Sequence, residues 1–202
     1  RLGSFQLRNY FSYTYTNSAD SPYGSFSDYT SKLPYDEYQD EFGNYLKTTY
    51  GWNGTSGSEN PLYEATLKSY DRSNADEFID NLSANWYIND HWQIKGQLLK
   101  GQFSITKSNS EANDFLDPRS KKNAEILGLT NVISGQLDVT TNKSVGWDAT
   151  MTLSYNRTIK KNSLNFLAGV NATSSTGDGL AISYRGFPSG SLSSPGYAHS
   201  IY

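Results

Sequence analysis

The alternation of apolar and polar positions is clearest from Val145 to Ile159. Val145, Trp147, Ala149, Met151, Leu153, Tyr155 and Ile159 fall in one phase. Gly146, Asp148, Thr150, Thr152, Ser154, Asn156 and Thr158 fall in the other. Side chains alternate faces along a strand, so the segment predicts a β-strand with one apolar and one polar face. The run is longer than an average soluble strand of about 5–6 residues. It also exceeds the roughly 9–11 residues that a tilted strand needs to cross a bilayer.

The same pattern predicts four further strands. The first runs from Ser4 to Thr16, with Phe5, Leu7, Phe11, Tyr13 and Tyr15 on one face. The second runs from Phe78 to Ile88, with Phe78, Leu82, Ala84, Trp86 and Ile88 in phase. Asn89-Asp90 then predicts a tight turn, because both residues tolerate left-handed backbone angles. The third strand spans His91 to Lys107. Trp92, Ile94 and Leu98 keep one phase while Phe103 and Ile105 keep the other, which predicts a β-bulge between Leu98 and Gly101. After the Val145–Ile159 strand, Lys160-Lys161-Asn162 closes a short hairpin. It leads into a fifth strand, Ser163 to Thr173, whose apolar face is Leu164, Phe166, Ala168, Val170 and Ala172.

Long polar segments separate these strands. Asn17 to about Asp76 reads as a loop rich in Gly, Ser, Asn, Asp and Tyr. Within it, Tyr35–Leu46 and Leu62–Tyr70 each predict a helical turn, and Asn60-Pro61 a chain reversal. In Ser108 to Ser144, Lys121–Leu127 predicts a short helix and Gly135–Thr141 an extra short strand. Ser174 to Tyr202 reads as a Gly/Ser/Pro-rich loop. Short turns thus alternate with long loops, the arrangement of outer-membrane barrels. A sandwich would give short strands with turns every 8–12 residues. The expected fold class is all-β: an antiparallel meander of long strands with short turns and long loops, part of a transmembrane β-barrel. Five strands are odd in number and too few to close. Residues 1–202 are therefore expected to be a single partial domain, an internal piece of a longer barrel.

Composition sharpens this only in places. The chain has 202 residues and no cysteine, which excludes a disulfide scaffold and a Cys-based zinc site. Its net charge of −3 gives a nucleic-acid role no electrostatic support. No apolar run is long enough for a membrane-spanning helix. The sixteen tyrosines suit the aromatic girdles of a barrel, and Trp86 and Trp92 flank the predicted tight turn where such a girdle would lie. A Tyr-rich soluble β-sandwich fits the composition as well.

Four segments are family-like. They are NPLYEATLKSYDRSNADEFIDNLSANWYINDHWQIKGQ (Asn60–Gln97), FLDPRS (Phe115–Ser120), WDATMTLSYNRTIKKNSLNFLAGVNAT (Trp147–Thr173) and YRGFPSGSLSSPGYAHSI (Tyr184–Ile201). Together, in that order, they resemble the middle of the barrel of SusC/RagA-type TonB-linked (TonB-dependent) outer-membrane transporters of Bacteroidetes. The resemblance implies a large barrel, plugged by an N-terminal domain, that imports glycans or peptides with energy passed from TonB. It also implies a SusD-like surface lipoprotein as extracellular cap and outer-membrane lipid around the wall. The chain holds no counterpart of the plug or the TonB box, so no functional residue of those parts carries over.

Candidate site residues lie in the first long loop. Tyr23, Tyr29, Tyr35 and Trp52, with Tyr38, Tyr45 and Tyr50 nearby, offer faces on which sugar rings could stack. They could equally pack the loop on itself or against a capping partner. Asp36, Glu37, Asp40 and Glu41 lack the spacing of a Ca²⁺ loop and read as a solvated charge run. Only two histidines occur, His91 and His199, and neither has a nucleophile beside it in an elbow motif. Gly177-Asp178-Gly179 has no following helix and is not a phosphate loop. No catalytic residue, metal site or cofactor is expected, and the chain reads as wall, loops and selectivity surface. The rival reading is a soluble secreted carbohydrate-binding module. It is distinguished by where Trp147, Met151, Leu153, Phe166 and Val170 point: to lipid in the barrel, into a closed core in the module.

Overall fold

The structure is a computed structural model and describes residues 5–21, 24–50, 58–87, 97–123 and 134–202. In chain order the elements are β1 (Phe5–Ala19), α1 (Phe26–Thr30), β2 (Glu37–Gln39), β3 (Tyr45–Tyr50), β4 (Ser58–Glu59) and α2 (Pro61–Glu64). They continue with β5 (Tyr70–Tyr87), β6 (Gln97–Leu116), β7 (Gln136–Ile159), β8 (Asn162–Arg185), a 3-10 turn (Pro195–Tyr197) and β9 (Ser200–Ile201). The main sheet has the order β1-β5-β6-β7-β8-β9, and a small second sheet the order β2-β3-β4. The fold is all-β, an antiparallel sheet of long strands, as the alternation predicts.

The antiparallel sense of β7 and β8 is visible in their side chains. Thr158 Oγ1 meets Ser163 Oγ at 3.4 Å beside the turn. Further along, Asn171 Nδ2 donates to Thr150 Oγ1 at 2.8 Å and to Asp148 Oδ2 at 3.0 Å. The turn itself is Lys160-Lys161, and Lys160 carries φ of 55°. That is the left-handed region, which two-residue hairpin turns use and which residues other than Gly, Asn and Asp seldom adopt.

Every long strand extends beyond its predicted end, and this corrects the loop assignments. β1 runs to Ala19, β5 starts at Tyr70, β6 runs to Leu116 and β7 starts at Gln136, absorbing the predicted extra strand Gly135–Thr141. β8 continues to Arg185, so the first part of the predicted Ser174–Tyr202 loop is strand, Gly177-Asp178-Gly179 included. Stretches of these extensions, such as Ser108-Asn109-Ser110-Glu111, are polar in both phases. With no buried face there is no alternation to reveal a strand. Leu98–Gly101, where a bulge is predicted, lies inside β6.

Within the first long connection, the helical turn predicted at Tyr35–Leu46 is instead the hairpin β2–β3. Asp40 builds its turn by accepting from the backbone N–H of Phe42 (2.9 Å) and of Asn44 (2.8 Å) and from Asn44 Nδ2 (2.9 Å). Such a side chain–backbone turn competes successfully with helix. The predicted helical turn at Leu62–Tyr70 appears as α2, one residue early, with Asn60 as N-cap and Pro61 at the first helical position. The helix predicted at Lys121–Leu127 is described only to Asn123, where Lys122 and Asn123 are helical. The Asn89-Asp90 turn lies outside the described residues.

The chain divides into two compact units. Unit 1 is Arg1–Thr16, Ala75–Ser110 and Asn142–Gly179. Unit 2 is Asn17–Asn74, Glu111–Thr141 and Leu180–Tyr202.

Candidate functional site

Unit 1 is a sheet without a core: none of its described residues is buried. Its apolar side chains instead share one exposed face. Phe11 and Phe78 meet edge to face across β1 and β5 with ring centroids 5.0 Å apart, and Phe103 stacks on Trp147 across β6 and β7 at 6.4 Å. On this face Trp147 is 41%, Met151 48%, Leu153 38%, Phe166 54% and Val170 68% exposed. Trp86, on the same face of β5, is also exposed, while Trp92 and His91 lie outside the described residues. Val145 to Tyr155 makes a band of eleven residues, about 36 Å along the strand. At a tilt of about 45° its height is about 25 Å, the height of a barrel's apolar belt. Asn9 and Asp80 interrupt the face, and Asp80, between Phe78 and Leu82, has an Oδ1 with no hydrogen-bond partner among the described residues.

The opposite face of unit 1 is mainly polar, with Tyr10 and Leu167 among its exceptions. The Asn171–Thr150–Asp148 cluster lies on it, as does the Ser108–Ser144 hydroxyl pair at 2.7 Å. A hollow of about 530 Å³ is lined there by Thr14, Thr16, Ser108, Ser110, Asn142 and Ser144 among others. A second hollow of about 440 Å³ adjoins Arg8, Tyr10, Asn81, Ser83, Gln102 and Asp148.

Unit 2 holds the buried hydrophobic residues: Leu67, Phe115, Leu137 and Phe187. Phe115 stacks against Tyr70 (5.5 Å) and meets Phe187 edge to face (5.2 Å). Beside this cluster, Asp117 is fully buried. Its Oδ1 accepts from the Arg119 backbone N–H (2.9 Å) and Nε (3.0 Å), and its Oδ2 from Arg119 Nη2 (2.8 Å) and the Lys68 N–H (3.1 Å). Its own N–H donates to Ser69 Oγ (2.9 Å), and its carbonyl accepts from Asn123 Nδ2 (2.8 Å). Burial pushes the Asp117 carboxyl up, but the Arg119 and Lys68 hydrogen bonds and the Arg119 charge outweigh it and hold it below the usual carboxylate range. Gly190 packs directly on Asp117 Oδ2: a Cβ there would lie 1.9 Å from it. Asp117 thus joins the segments around Lys68, Arg119 and Gly190. Asn60 is a second buried hub, donating to the carbonyls of Tyr38 (3.0 Å) and Leu46 (2.7 Å) and accepting from the Leu62 N–H (3.2 Å).

An acidic cleft of about 400 Å³ opens in the same unit, lined by Asp20, Asp28, Glu59, Glu64, Asp71, Asp114 and Asp138 with Lys122. Partial burial, then the charges of Asp71, Asp138 and Asp20, raise the Asp114 carboxyl above its ordinary range. Among the described residues, no group of three or more His, Asp or Glu could hold a metal ion.

Of the predicted stacking residues, Tyr23 and Trp52 lie outside the described residues. Tyr29, at the end of α1, is half-buried and its hydroxyl is buried without a hydrogen-bond partner among the described residues. Tyr35 is exposed, in the turn before β2, and among the described residues no ring contact joins it to Tyr29. Tyr38 and Tyr45 are exposed on β2 and β3. In the acidic run, Asp36 caps the Leu33 N–H (2.9 Å) and Asp40 builds the hairpin turn. The Asn44 hydrogen bonds hold Asp40 below the usual carboxylate range. In the sequence the Asp117 segment FLDPRS stands out only through the family resemblance, which assigns it no role. Asp-Pro-Arg-Ser is a turn signal, since Asp commonly accepts from the backbone two residues on. No protein-family model matches the chain, and no curated protein sequence matches it.

Proposed function

We propose that this chain forms part of the wall of a TonB-dependent outer-membrane transporter of SusC/RagA type. The observation that carries the reading is the exposed apolar band of unit 1, on five long antiparallel strands whose opposite face is mainly polar. Lipid would cover the band and water the polar face. The soluble carbohydrate-binding module, which needs Trp147, Met151, Leu153, Phe166 and Val170 packed in a core, has no support from these exposures. The alternation on its own suits any half-buried sheet. What favours a membrane is an exposed apolar band of eleven residues, about 36 Å along the strand and long enough to cross a bilayer when tilted, with no buried residue beneath it. The long loops would face outside and contribute to the entrance for a glycan or peptide, beneath a SusD-like lipoprotein, with TonB as the energy-coupling partner.

The test is quenching of Trp147 by brominated lipid, with Trp52, Trp86 and Trp92 replaced by Phe. Bromine at the acyl chains should quench Trp147 strongly after reconstitution in vesicles. A Trp147 untouched by brominated lipid, in a protein recovered from the soluble fraction of its cells, would sink the reading.

A further inference from the structure

The Phe187 side of unit 2 carries a second, larger cleft, of about 710 Å³, whose lining includes Lys47, Arg119, Ser189, Tyr197 and His199. Ligand clefts typically measure about 300–1,000 Å³. This one has no carboxylate in its lining. The nearest by sequence, Asp117, is fully buried and already satisfied by Arg119. Arg119 spends Nε and Nη2 on that pair, yet its side chain is 56% exposed, so the outer guanidinium N–H groups remain for a ligand. Lys47 Nζ lies 5.9 Å from the Tyr63 ring centre and has no ion-pair partner among the described residues. Tyr197 presents an exposed ring.

The walls are preorganised. Gly186 and Phe187 donate to the carbonyls of Gly135 (3.0 Å) and Ser134 (3.1 Å), and the His199 N–H is shared between the carbonyls of Arg185 (2.9 Å) and Gly186 (3.1 Å). Gly186 holds φ of 79°, and a Cβ there would come 2.7 Å from His199 Cβ. Asp117 fixes the plane of the Arg119 guanidinium. Binding to such a cleft loses little conformational freedom.

We propose that this cleft binds the carboxylate of a uronate-type sugar, with the acid between Lys47 and Arg119 and the ring's C–H face on Tyr197. Charge sorts the ligand: the acidic cleft of the same unit repels an anion, and this one attracts it. A uronate, whose only charges are carboxylates, fits better than a short peptide, whose ammonium group would find no carboxylate here. The proposal deepens the transport reading by naming a ligand chemistry, and the binding itself rests on unit 2 alone.

The experiment is calorimetry on the detergent-solubilised protein with trigalacturonate, its methyl ester and the dipeptide Ala-Tyr. The acid should bind at least tenfold more tightly than the ester, and more weakly as salt rises to about 0.5 M, where the screening length is a few Å. Lys47→Glu should lower the acid's affinity at least tenfold with the thermal midpoint unchanged, because Lys47 is exposed. Tyr197→Ala should weaken acid and ester equally. Equal binding of acid and ester, no binding of either, or an unaffected Lys47→Glu protein would overturn the proposal. Ala-Tyr binding as tightly as trigalacturonate would overturn the sugar assignment. No bilayer is involved, so failure of the membrane reading would leave these results standing.

Discussion

A lysine placed at Met151 tests the lipid-facing band most directly. Thr152 lies against Gly169, and Thr150 bonds Asn171, so Met151 sits beside Val170 near the middle of the band. Met151 is 48% exposed, so its replacement removes little packing. In water an exposed Met→Lys change is close to neutral, within about 0.5 kcal/mol. At a bilayer midplane the same lysine costs about 2–4 kcal/mol, and near the interface about 0–1 kcal/mol. The folded-to-unfolded ratio should therefore fall about 30- to 700-fold in Met151→Lys. Val145→Lys, at the end of the band, should lose far less, and Thr150→Lys, on the polar face, almost nothing. The assay is denaturant unfolding of protein reconstituted in vesicles, with the three variants compared at equal slope. A Met151→Lys protein as stable as Val145→Lys, or a Thr150→Lys protein equally damaged, would refute the assignment of faces.

Three further outcomes follow from the geometry. Asp80→Leu removes the carboxylate from the band and should raise stability in vesicles by about 1–2 kcal/mol; a loss in the same unfolding assay would mean that Asp80 faces something other than lipid. Asp117→Asn removes the charged acceptor of Arg119 and should cost about 1.5–3 kcal/mol. Because the folded Asp117 carboxyl titrates below its unfolded value of about 3.9, its contribution is full above that value and lost as pH falls through the folded one. The variant's unfolding curve should thus lose part of the wild-type acid dependence below about pH 4, and an unchanged acid limb would contradict the assigned shift. Gly190→Ala forces a methyl into Asp117 Oδ2 and should destabilise unit 2 by about 1–3 kcal/mol, seen as faster hydrogen exchange at Gly186 and Phe187. Wild-type exchange there would show that the segment around Gly190 yields freely.

The strands were legible where one face is apolar. Val145–Tyr155 and Leu164–Ala172 announce themselves because water and the opposing environment impose a period of two. The pattern vanishes at Ser174–Gly179 of β8 and Ser108–Ser110 of β6, where both faces are polar and the strands are tied by backbone pairing and by polar side chains such as Ser108 and Ser144. Asp40 illustrates a different blind spot, since a side chain closing a hairpin leaves no periodic trace and the surrounding residues tolerate a helix equally well. The cationic cleft was illegible because Lys47, Arg119, Tyr197 and His199 are scattered over about 150 positions and come together only in the fold. A basic cleft in a chain of net charge −3 is masked by its acidic neighbours until the fold separates them.

The unequal connections of the main sheet set an order of assembly. β7 and β8 are joined by two residues, and their first side-chain contact, Thr158 to Ser163, spans five positions. β1 reaches β5 only across the whole β2–β3–β4 insertion, where Ser18 meets Ser73 over 55 positions. Closing the longer loop costs about 2 kcal/mol more in chain entropy. Hairpins form in about 1–10 μs, so the β7–β8 pairing is expected to precede the β1–β5 pairing. A chain stalled between the two would leave the edge of β5 open to a competing strand.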